Sequence, residues 1–348
     1  MICGADRALR RSLRLHRDVG YDLERQGDTE SRLEELARHF TEAAALGEVD
    51  RAVGYCERAG AAAIGALAYE EAAAHFERAL ESLLLEHPVD EHRRVRLVFE
   101  AGNALHQIND VRSREMLHAA EEAGRELDDL DLLGRVVVAV ATDVFTRASI
   151  SVEEGRVALA EHVLARGEEL STALRARVMA ALSDELFWSG DAAWRRRLCD
   201  DAIAIAREIG DPHLLVDLLA SHNVMLDVTE SSGFDLLEAQ ASEMIEVAAG
   251  IDDSLLFNAL IMRIITRTSQ GDVAAGDADL DRAEQLAERL RIPQHIGRAK
   301  QMRIARALLA GRLEDTDVLL ADYEAHASRA GLGTSVAAAG GIRYRLHY

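Results

Sequence analysis

The sequence predicts an all-α fold, an α-solenoid of about eight helix pairs that repeats roughly every 40 residues. Three observations lead to this prediction. The 348 residues include only three prolines and 4% aromatic residues, and helix-favouring alanine, leucine, glutamate and arginine are abundant. Turn signals recur at a nearly constant interval. Small residues also lie between bulky ones at helical spacing, which lets neighbouring helices approach closely.

The clearest helix is predicted in the stretch ALAYEEAAAHFERAL, residues 66–80. Its bulky residues are Leu67, Tyr69, Phe76 and Leu80, and Ala72 and Ala79 lie between them on the same face. We interpret these alanines as the places where the helices of one pair meet. His75 lies within the same pattern and is expected to be a partly exposed spacer.

Helices that follow a turn begin near eight recurrent positions. These starts are Gly27, Leu67, Asn109, Ser151, Gly190, Ser232, Gly271 and Gly311, and the successive differences are 40, 42, 42, 39, 42, 39 and 40 residues. In the clearest repeats a small residue lies twelve positions after the start, namely Ala79, Ala202 and Ala283. Each interval leaves room for that helix, a short connection and one returning helix. The starts at Asn109 and Ser151 rest on spacing alone.

The remaining segments fit between these starts. The turns GDP at 210–212 and RIP at 291–293 are typical of breaks between pairs. The apolar segment LLGRVVVAVATDVF at 132–145 is rich in β-branched residues, which favour strands. Since no second strand is available to pair with it, we predict a buried helix. One helix pair cannot bury its apolar stripe alone, so the pairs are expected to stack into a right-handed superhelix.

Residues 33–81 resemble the start of the tetratricopeptide-like region of large ATP-binding regulators of the LuxR family and of related ATPase-coupled adenylate cyclases. Tyr69, Ala72, Phe76 and Ala79 match the second-helix pattern of that repeat, and Gly60 matches the glycine of its first helix. Residues 195–212 and 280–332 are similar to more distal repeats of the same proteins. The resemblance covers residues 10 to 332, approximately, and implies a tetratricopeptide-like superhelix.

In that family the array follows a P-loop ATPase and a winged-helix module, and a DNA-binding helix-turn-helix often comes after it. None of these parts is found in this sequence. A P-loop needs GxxxxGK[ST], but Lys300, the only lysine, has neither the glycines before it nor a hydroxyl residue after it. Two interpretations stay open. The output is supplied by another polypeptide, or the chain is a truncated regulator fragment without its ATPase and DNA-binding parts.

We therefore expect three segments. Residues 1–26 form a basic helix, interpreted as the remnant of a junction to a missing domain, residues 27–330 form the array, and residues 331–348 form a flexible glycine-rich tail. Five arginines fall on one face of the first segment, namely Arg7, Arg10, Arg11, Arg14 and Arg17. That face is interpreted as a solvated surface or a contact with a neighbouring domain, and the alternative is an anionic-ligand site.

Charge and cysteine content exclude several classes of protein. The formal net charge is 40 − 61 = −21, and such a surface repels phosphate backbones, so direct nucleic-acid binding is not expected. Cys3, Cys56 and Cys199 lie far apart without a CxxC pair, which favours neither a disulfide framework nor a zinc site. No signal peptide or membrane-spanning run is present. These features predict a cytoplasmic protein without a membrane partner.

Acidic pairs in a helical chain invite comparison with the magnesium-binding DDxxD motif. The pairs Asp128-Asp129, Asp200-Asp201 and Asp252-Asp253 are followed by Leu132, Ala204 and Leu256 where the last acid belongs. The motif-like NDVRSREML at 109–117 likewise ends in leucine. We interpret these acids as helix caps and solvated carboxylates. EHPVDEH, residues 86–92, is interpreted as a turn with a helix start at Asp90. The chain is therefore predicted to be no enzyme and to hold no cofactor or metal.

The predicted partner surface surrounds one turn. Trp188 and Trp194 bracket Gly190, and Arg195, Arg196 and Arg197 follow. The two tryptophans either seal adjacent helix pairs or anchor a partner, because Trp and Arg dominate many interfaces. The predicted function is a non-catalytic sensor or scaffold of a bacterial signal-responsive transcriptional regulator, which binds a protein partner or a small effector. Uncapped ends of the array would also promote self-association.

Overall fold

The structure, a computed structural model, describes residues 2–108, 110–141, 154–186, 191–225 and 231–330. These residues form sixteen α-helices and no β-strand, which confirms the all-α prediction. The chain divides into two compact units, Met1–Glu185 and Leu186–Tyr348. The predicted division at residues 26 and 330 stays a prediction, and the tail at 331–348 lies outside the described residues.

The first unit contains nine described helices, each packed against the next. They are α1 Ile2–Gln26, α2 Leu33–Ala43, α3 Val49–Gly65, α4 Tyr69–Leu83, α5 Glu91–Gln107, α6 Arg112–Glu126, α7 Leu130–Val140, α8 Glu154–Ala165 and α9 Thr172–Glu185. Helix α7 also contacts the odd-numbered helices on either side of it, α5 and α9. Helix α7 confirms that the β-branched segment is helical as far as residue 140, while residues 142–150 lie outside the described residues.

The second unit contains seven described helices that pack in the same sequential way. They are α10 Ala192–Ile209, α11 Pro212–Met225, α12 Ser231–Ala248, α13 Asp253–Gln270, α14 Val273–Leu290, α15 Pro293–Leu309 and α16 Leu313–Arg329. Among the helices that the structure describes in either unit, none combines the length and apolar character needed to cross a bilayer.

The eight predicted starts coincide with the even-numbered helices, which confirms about eight helix pairs. Seven starts precede their helix by two to six residues, and Ser232 is the second residue of α12. The largest offset is at Gly27, because a short 3-10 turn at Glu30–Arg32 intervenes before α2. The breaks GDP and RIP are also confirmed, since Pro212 and Pro293 are the first residues of α11 and α15.

Two residues of the opening stretch differ from the prediction. Leu67 was expected on the buried face, but it is 53% exposed and has a φ of 59°. It forms the left-handed turn that ends α3, a role that glycine fills at Gly271 and Gly311. His75 was expected to be partly exposed, but it is buried at 5% exposure. Its Nδ1 accepts a hydrogen bond from Arg78 at 2.9 Å, which satisfies one polar atom of the ring.

A stripe of buried positions spaced i, i+4, i+7 recurs on the even-numbered helices. Three buried residues at this spacing are Leu36–Phe40–Ala43 in α2, Ala72–Phe76–Ala79 in α4, Ser113–Leu117–Ala120 in α6, Leu237–Ala241–Met244 in α12, Gly276–Leu280–Ala283 in α14 and Thr316–Leu320–Tyr323 in α16. In α8 and α10 only the second and third positions are buried, namely Ala160–Val163 and Cys199–Ala202. Each even helix therefore presents the same face to its neighbours.

Glycines of the odd-numbered helices receive the bulky residue of this stripe. A Cβ atom on Gly60 would lie 2.7 Å from the Phe76 ring, and one on Gly20 would lie 2.9 Å from the Phe40 ring. A Cβ atom on Gly102 would lie 2.9 Å from Met116 and 3.3 Å from the next residue of α6. The intervals of 40 and 42 residues between these glycines repeat the spacing of the helix starts.

Arginine–carboxylate pairs join equivalent helices of successive pairs. Four of them are Glu57–Arg93 at 2.8 Å, Glu77–Arg112 at 2.9 Å, Glu100–Arg135 at 2.7 Å and Arg207–Glu243 at 2.6 Å. The partners lie 36, 35, 35 and 36 residues apart, close to one repeat. Many of the chain's charges are thus used between its own helices.

Candidate interaction surface

The predicted partner surface lies at the beginning of α10. Asp191 precedes the helix, and its Oδ1 accepts a hydrogen bond from the backbone N–H of Trp194 at 2.9 Å. This N-cap fixes the start of the helix and thereby the position of Trp194. Trp194 is half-buried. Trp188 and Gly190 belong to the same prediction, and both lie outside the described residues.

The structure separates the three predicted arginines. Arg196 and Arg197 are exposed, whereas Arg195 is half-buried. Arg195 precedes Cys199 by four residues, so it occupies the first position of the buried stripe, which Ala72 occupies in α4. Arg195 therefore faces neighbouring helices. We define the α10 patch as Trp194, Arg196 and Arg197.

The repeat does not require a large aromatic residue at the position of Trp194. The residues aligned with it by the buried stripe are Glu35, Glu71, Arg112, Gly155, Leu236, Ala275 and Asp315. Six of these seven residues are charged or small, so packing between helix pairs is achieved without an aromatic side chain there. Helix α10 also lacks an acidic residue in its first turn, where α4 has Glu70 and Glu71. Acidic residues at this end stabilise a helix, so the basic character does not serve helix stability.

Two of the three acidic pairs take part in helix capping and ion pairing. Asp129 accepts the backbone N–H of Leu132 at 3.0 Å, and Asp252 accepts those of Ser254 and Leu255 at 2.6 and 3.0 Å. Asp128 forms an ion pair with Arg166 at 2.6 Å, and this contact lowers the pKa of the Asp128 carboxyl. Asp90 likewise caps α5 by accepting the N–H of Arg93 at 3.0 Å, as predicted. Across the described part of the chain, no three metal-ligating side chains converge.

A half-buried charge network between α12, α13 and α14 was not predicted from the sequence. Arg263 donates two hydrogen bonds to Asp279, at 2.7 and 2.6 Å, and Arg267 donates to the same carboxylate at 2.8 Å. Arg267 also donates twice to Oε1 of Glu238, at 3.0 and 2.8 Å. The side chains of Asp279 and Arg263 are only 7% and 16% exposed. Helical periodicity alone places these residues on facing helices but does not pair them.

A second cluster fixes α1 on α3. The Tyr21 hydroxyl donates to Glu48 at 2.8 Å, and the Tyr55 hydroxyl donates to Glu24 at 2.8 Å. The hydrogen bond to Glu48 is the main cause of a raised pKa of Tyr21. The Arg51 guanidinium lies 4.8 Å from the centre of the Tyr21 ring. These groups satisfy one another, so we assign them to packing.

No protein-family model matches the sequence, and no curated protein sequence matches it. Solved structures do. A Rap protein complexed with competence and sporulation factor is 14% identical, with a TM-score of 0.56 over 98% of this chain and 93% of that chain. The apo form of RapI is 12% identical, with a TM-score of 0.54 over 80% of this chain and 77% of that one.

A third solved structure is a signal-transduction ATPase with numerous domains and a tetratricopeptide repeat sensor, from Pyrococcus horikoshii. It is 11% identical, with a TM-score of 0.52 over 90% of this chain. The match covers 48% of that protein, so the chain spans about half of its length. At these identities the likeness establishes the fold. The chain has the architecture of tetratricopeptide-like helical repeat proteins.

Proposed function

We propose that this chain is a non-catalytic scaffold or sensor that binds a protein partner through the α10 patch. The observation that carries the proposal is Trp194, a half-exposed aromatic residue at a position that six of the other seven repeats fill with charged or small residues. Trp and Arg residues together dominate the binding energy of many protein interfaces. Their concentration within the first turns of one helix of a strongly acidic chain supports a recognition role.

The chemistry of the patch defines the partner. The exposed Arg196 and Arg197 favour carboxylates, and Trp194 favours an apolar or cationic group that can pack on its ring. We therefore expect the partner to present an acidic segment that contains an aliphatic side chain. A small anionic effector with an apolar body is the alternative ligand of the same chemistry.

The regulatory setting is part of the proposal. The Pyrococcus protein in the comparison combines a repeat sensor with an ATPase, and the sequence resembles the repeat region of LuxR-family regulators. We infer that the array biases a nucleotide-dependent switch in a signal-responsive transcriptional regulator. Ligand binding would act by favouring one of two arrangements of the array and its neighbour. An adjacent reading frame with a P-loop or a helix-turn-helix would support this setting, and its absence from the genome neighbourhood would count against it.

The partner proposal is tested by affinity capture from the native cell with wild type, Trp194→Ala and Arg196→Glu. We expect each substitution to reduce recovery of the specific partner by at least about tenfold, the loss typical of a dominant interface residue. Arg114→Glu is the matched control, because Arg114 is exposed on α6 at the position aligned with Arg196 and has no neighbouring tryptophan. Unchanged recovery with both α10 variants would remove the patch from consideration.

A further inference from the structure

The outward face of α1 is basic and carries an exposed leucine. From residue 10 to residue 17 the helix contains four arginines and no carboxylate. Arg11, Arg14 and Leu15 are all exposed, and Leu15 retains 62% of its accessible surface. The spacing i, i+3, i+4 places these three residues on one face. Gly20 of the same helix is buried and faces Phe40 of α2.

The outward face of α16 has the complementary character. Five carboxylates occur in this helix, namely Glu314, Asp315, Asp317, Asp322 and Glu324, against a single arginine, Arg329. Val318 retains 72% of its accessible surface, and Ala321 and Ala325 continue the same face at i+3 and i+7. The opposite face packs into the core through Leu320 and Tyr323. An exposed apolar strip is thus bordered by acidic residues, of which Asp315 pairs with Arg312 and Asp322 with Lys300 in the same chain.

We propose that the α1 face of one copy docks on the α16 face of a second copy. Arg11 and Arg14 would pair with the carboxylates of α16, and Leu15 would pack against Val318. The arrangement repeats in trans what the chain does in cis, where arginines of one helix pair bind carboxylates of the preceding pair, as in Glu57–Arg93 and Glu77–Arg112. The contact is heterologous, so each copy keeps one free face of each kind.

Charge argues for this occupant and this orientation. Copies with a net charge of −21 repel one another at long range. Two α16 faces would bring carboxylates together, and two α1 faces would bring arginines together. Docking of an α1 face on an α16 face avoids both contacts, because like charges that meet in an interface oppose binding.

Two double variants of the full-length chain test the proposal. One is Arg11→Glu with Arg14→Glu, and the other is Glu314→Arg with Asp315→Arg. Sedimentation velocity over a roughly hundredfold concentration range should show the wild-type mass rising beyond that of a dimer. Each double variant alone should associate at least about tenfold more weakly. An equimolar mixture of the two should recover association, because each reversed face then meets a face of opposite charge.

The controls separate this interface from folding and from the α10 patch. Arg114→Glu with Arg298→Glu introduces the same charge change at exposed positions elsewhere and should leave association unchanged. Trp194→Ala should also leave it unchanged, so failure of one proposal does not decide the other. Circular dichroism checks that each variant is folded. A wild-type chain that stays monomeric, an effect of only one double variant, or a mixture that does not recover would overturn the proposal.

Discussion

At the scale of single residues, close approach depends on glycines that have no room for a side chain. The ring of Phe76 occupies the space that a Cβ on Gly60 would need, and the ring of Phe40 does the same at Gly20. These glycines are in helices, where their backbone freedom is not needed. They matter because the missing side chain lets the neighbouring helix approach closely. Gly60 could be recognised from the tetratricopeptide pattern. Gly20 and Gly102 could have been found from the 40- and 42-residue intervals.

Gly60→Ala should lower the free energy of unfolding by about 1–3 kcal/mol, because the added methyl group overlaps a buried ring. Gly54→Ala in the same helix is the matched control, since nothing lies within 4 Å of a Cβ there. Alanine favours a helix over glycine, so this control should be stabilised by about 0.5–1 kcal/mol. Urea unfolding of both variants measures the difference, and equal changes would contradict the packing role of Gly60.

Leu67 and His75 show which structural features helical periodicity does not predict. Both were assigned from helical periodicity, yet Leu67 turns the chain through a positive φ and His75 is buried beside Arg78. Periodicity predicts the side of a helix but not its first residue, so a leucine in the turn position was placed on the buried face. The tertiary neighbours that bury a polar ring are equally invisible to periodicity.

At the scale of helices, the sequence predicts existence and spacing better than alignment within the repeat. The interval from Leu67 to Ala79 transfers to α10 and α14, because the buried alanine falls twelve residues after the start in both. In α6 the buried residue is Ala120, eleven residues after Asn109, so that start was one residue late. In α2 the inserted 3-10 turn displaces the stripe by one helical turn. Such local insertions leave no trace in a spacing count.

An ion pair within the α12–α14 network should contribute more to the free energy of unfolding than an exposed ion pair elsewhere. Asp279→Ala should lower the free energy of unfolding by about 3–5 kcal/mol, because it removes the carboxylate that Arg263 binds and one of the two that Arg267 binds, in a largely buried site. Arg289→Ala breaks the exposed pair with Asp253, at 2.7 Å, and should cost at most about 1 kcal/mol. Chemical denaturation of the two variants provides the comparison. A small effect of Asp279→Ala would show that the network contributes little.

At the scale of the whole molecule, buried and half-buried histidines should make stability depend on pH. Burial lowers the pKa of His39, His75, His106 and His295. Between those lowered values and the unfolded value of about 6.5, the unfolded chain binds more protons than the folded chain. The contribution of these histidines to the free energy of unfolding is therefore complete above about pH 6.5, and it is lost as the pH falls through their lowered pKa values.

We expect the urea midpoint to fall between about pH 7.5 and about pH 5.5, and the fall to be smaller in His75→Gln with His295→Gln. His295 stacks on Phe257 with ring centres 4.3 Å apart. Glutamine is a polar side chain of similar size, so it fills this space without leaving a large cavity. The protonation of carboxylates affects wild type and variant alike, so it cancels in the comparison. An identical fall in both proteins would contradict the assignment to these histidines.

The largely sequential packing of the first unit has a mechanical consequence. Among the described residues, helices from α1 to α9 touch chiefly the helices next to them or one further along, so the unit is held together mainly by contacts between near neighbours. A force applied to α1 must be resisted by each neighbour in turn. When the unit is stretched between its two ends in an optical trap, it should unfold in a series of small steps rather than in one event. Each step should release about one helical hairpin.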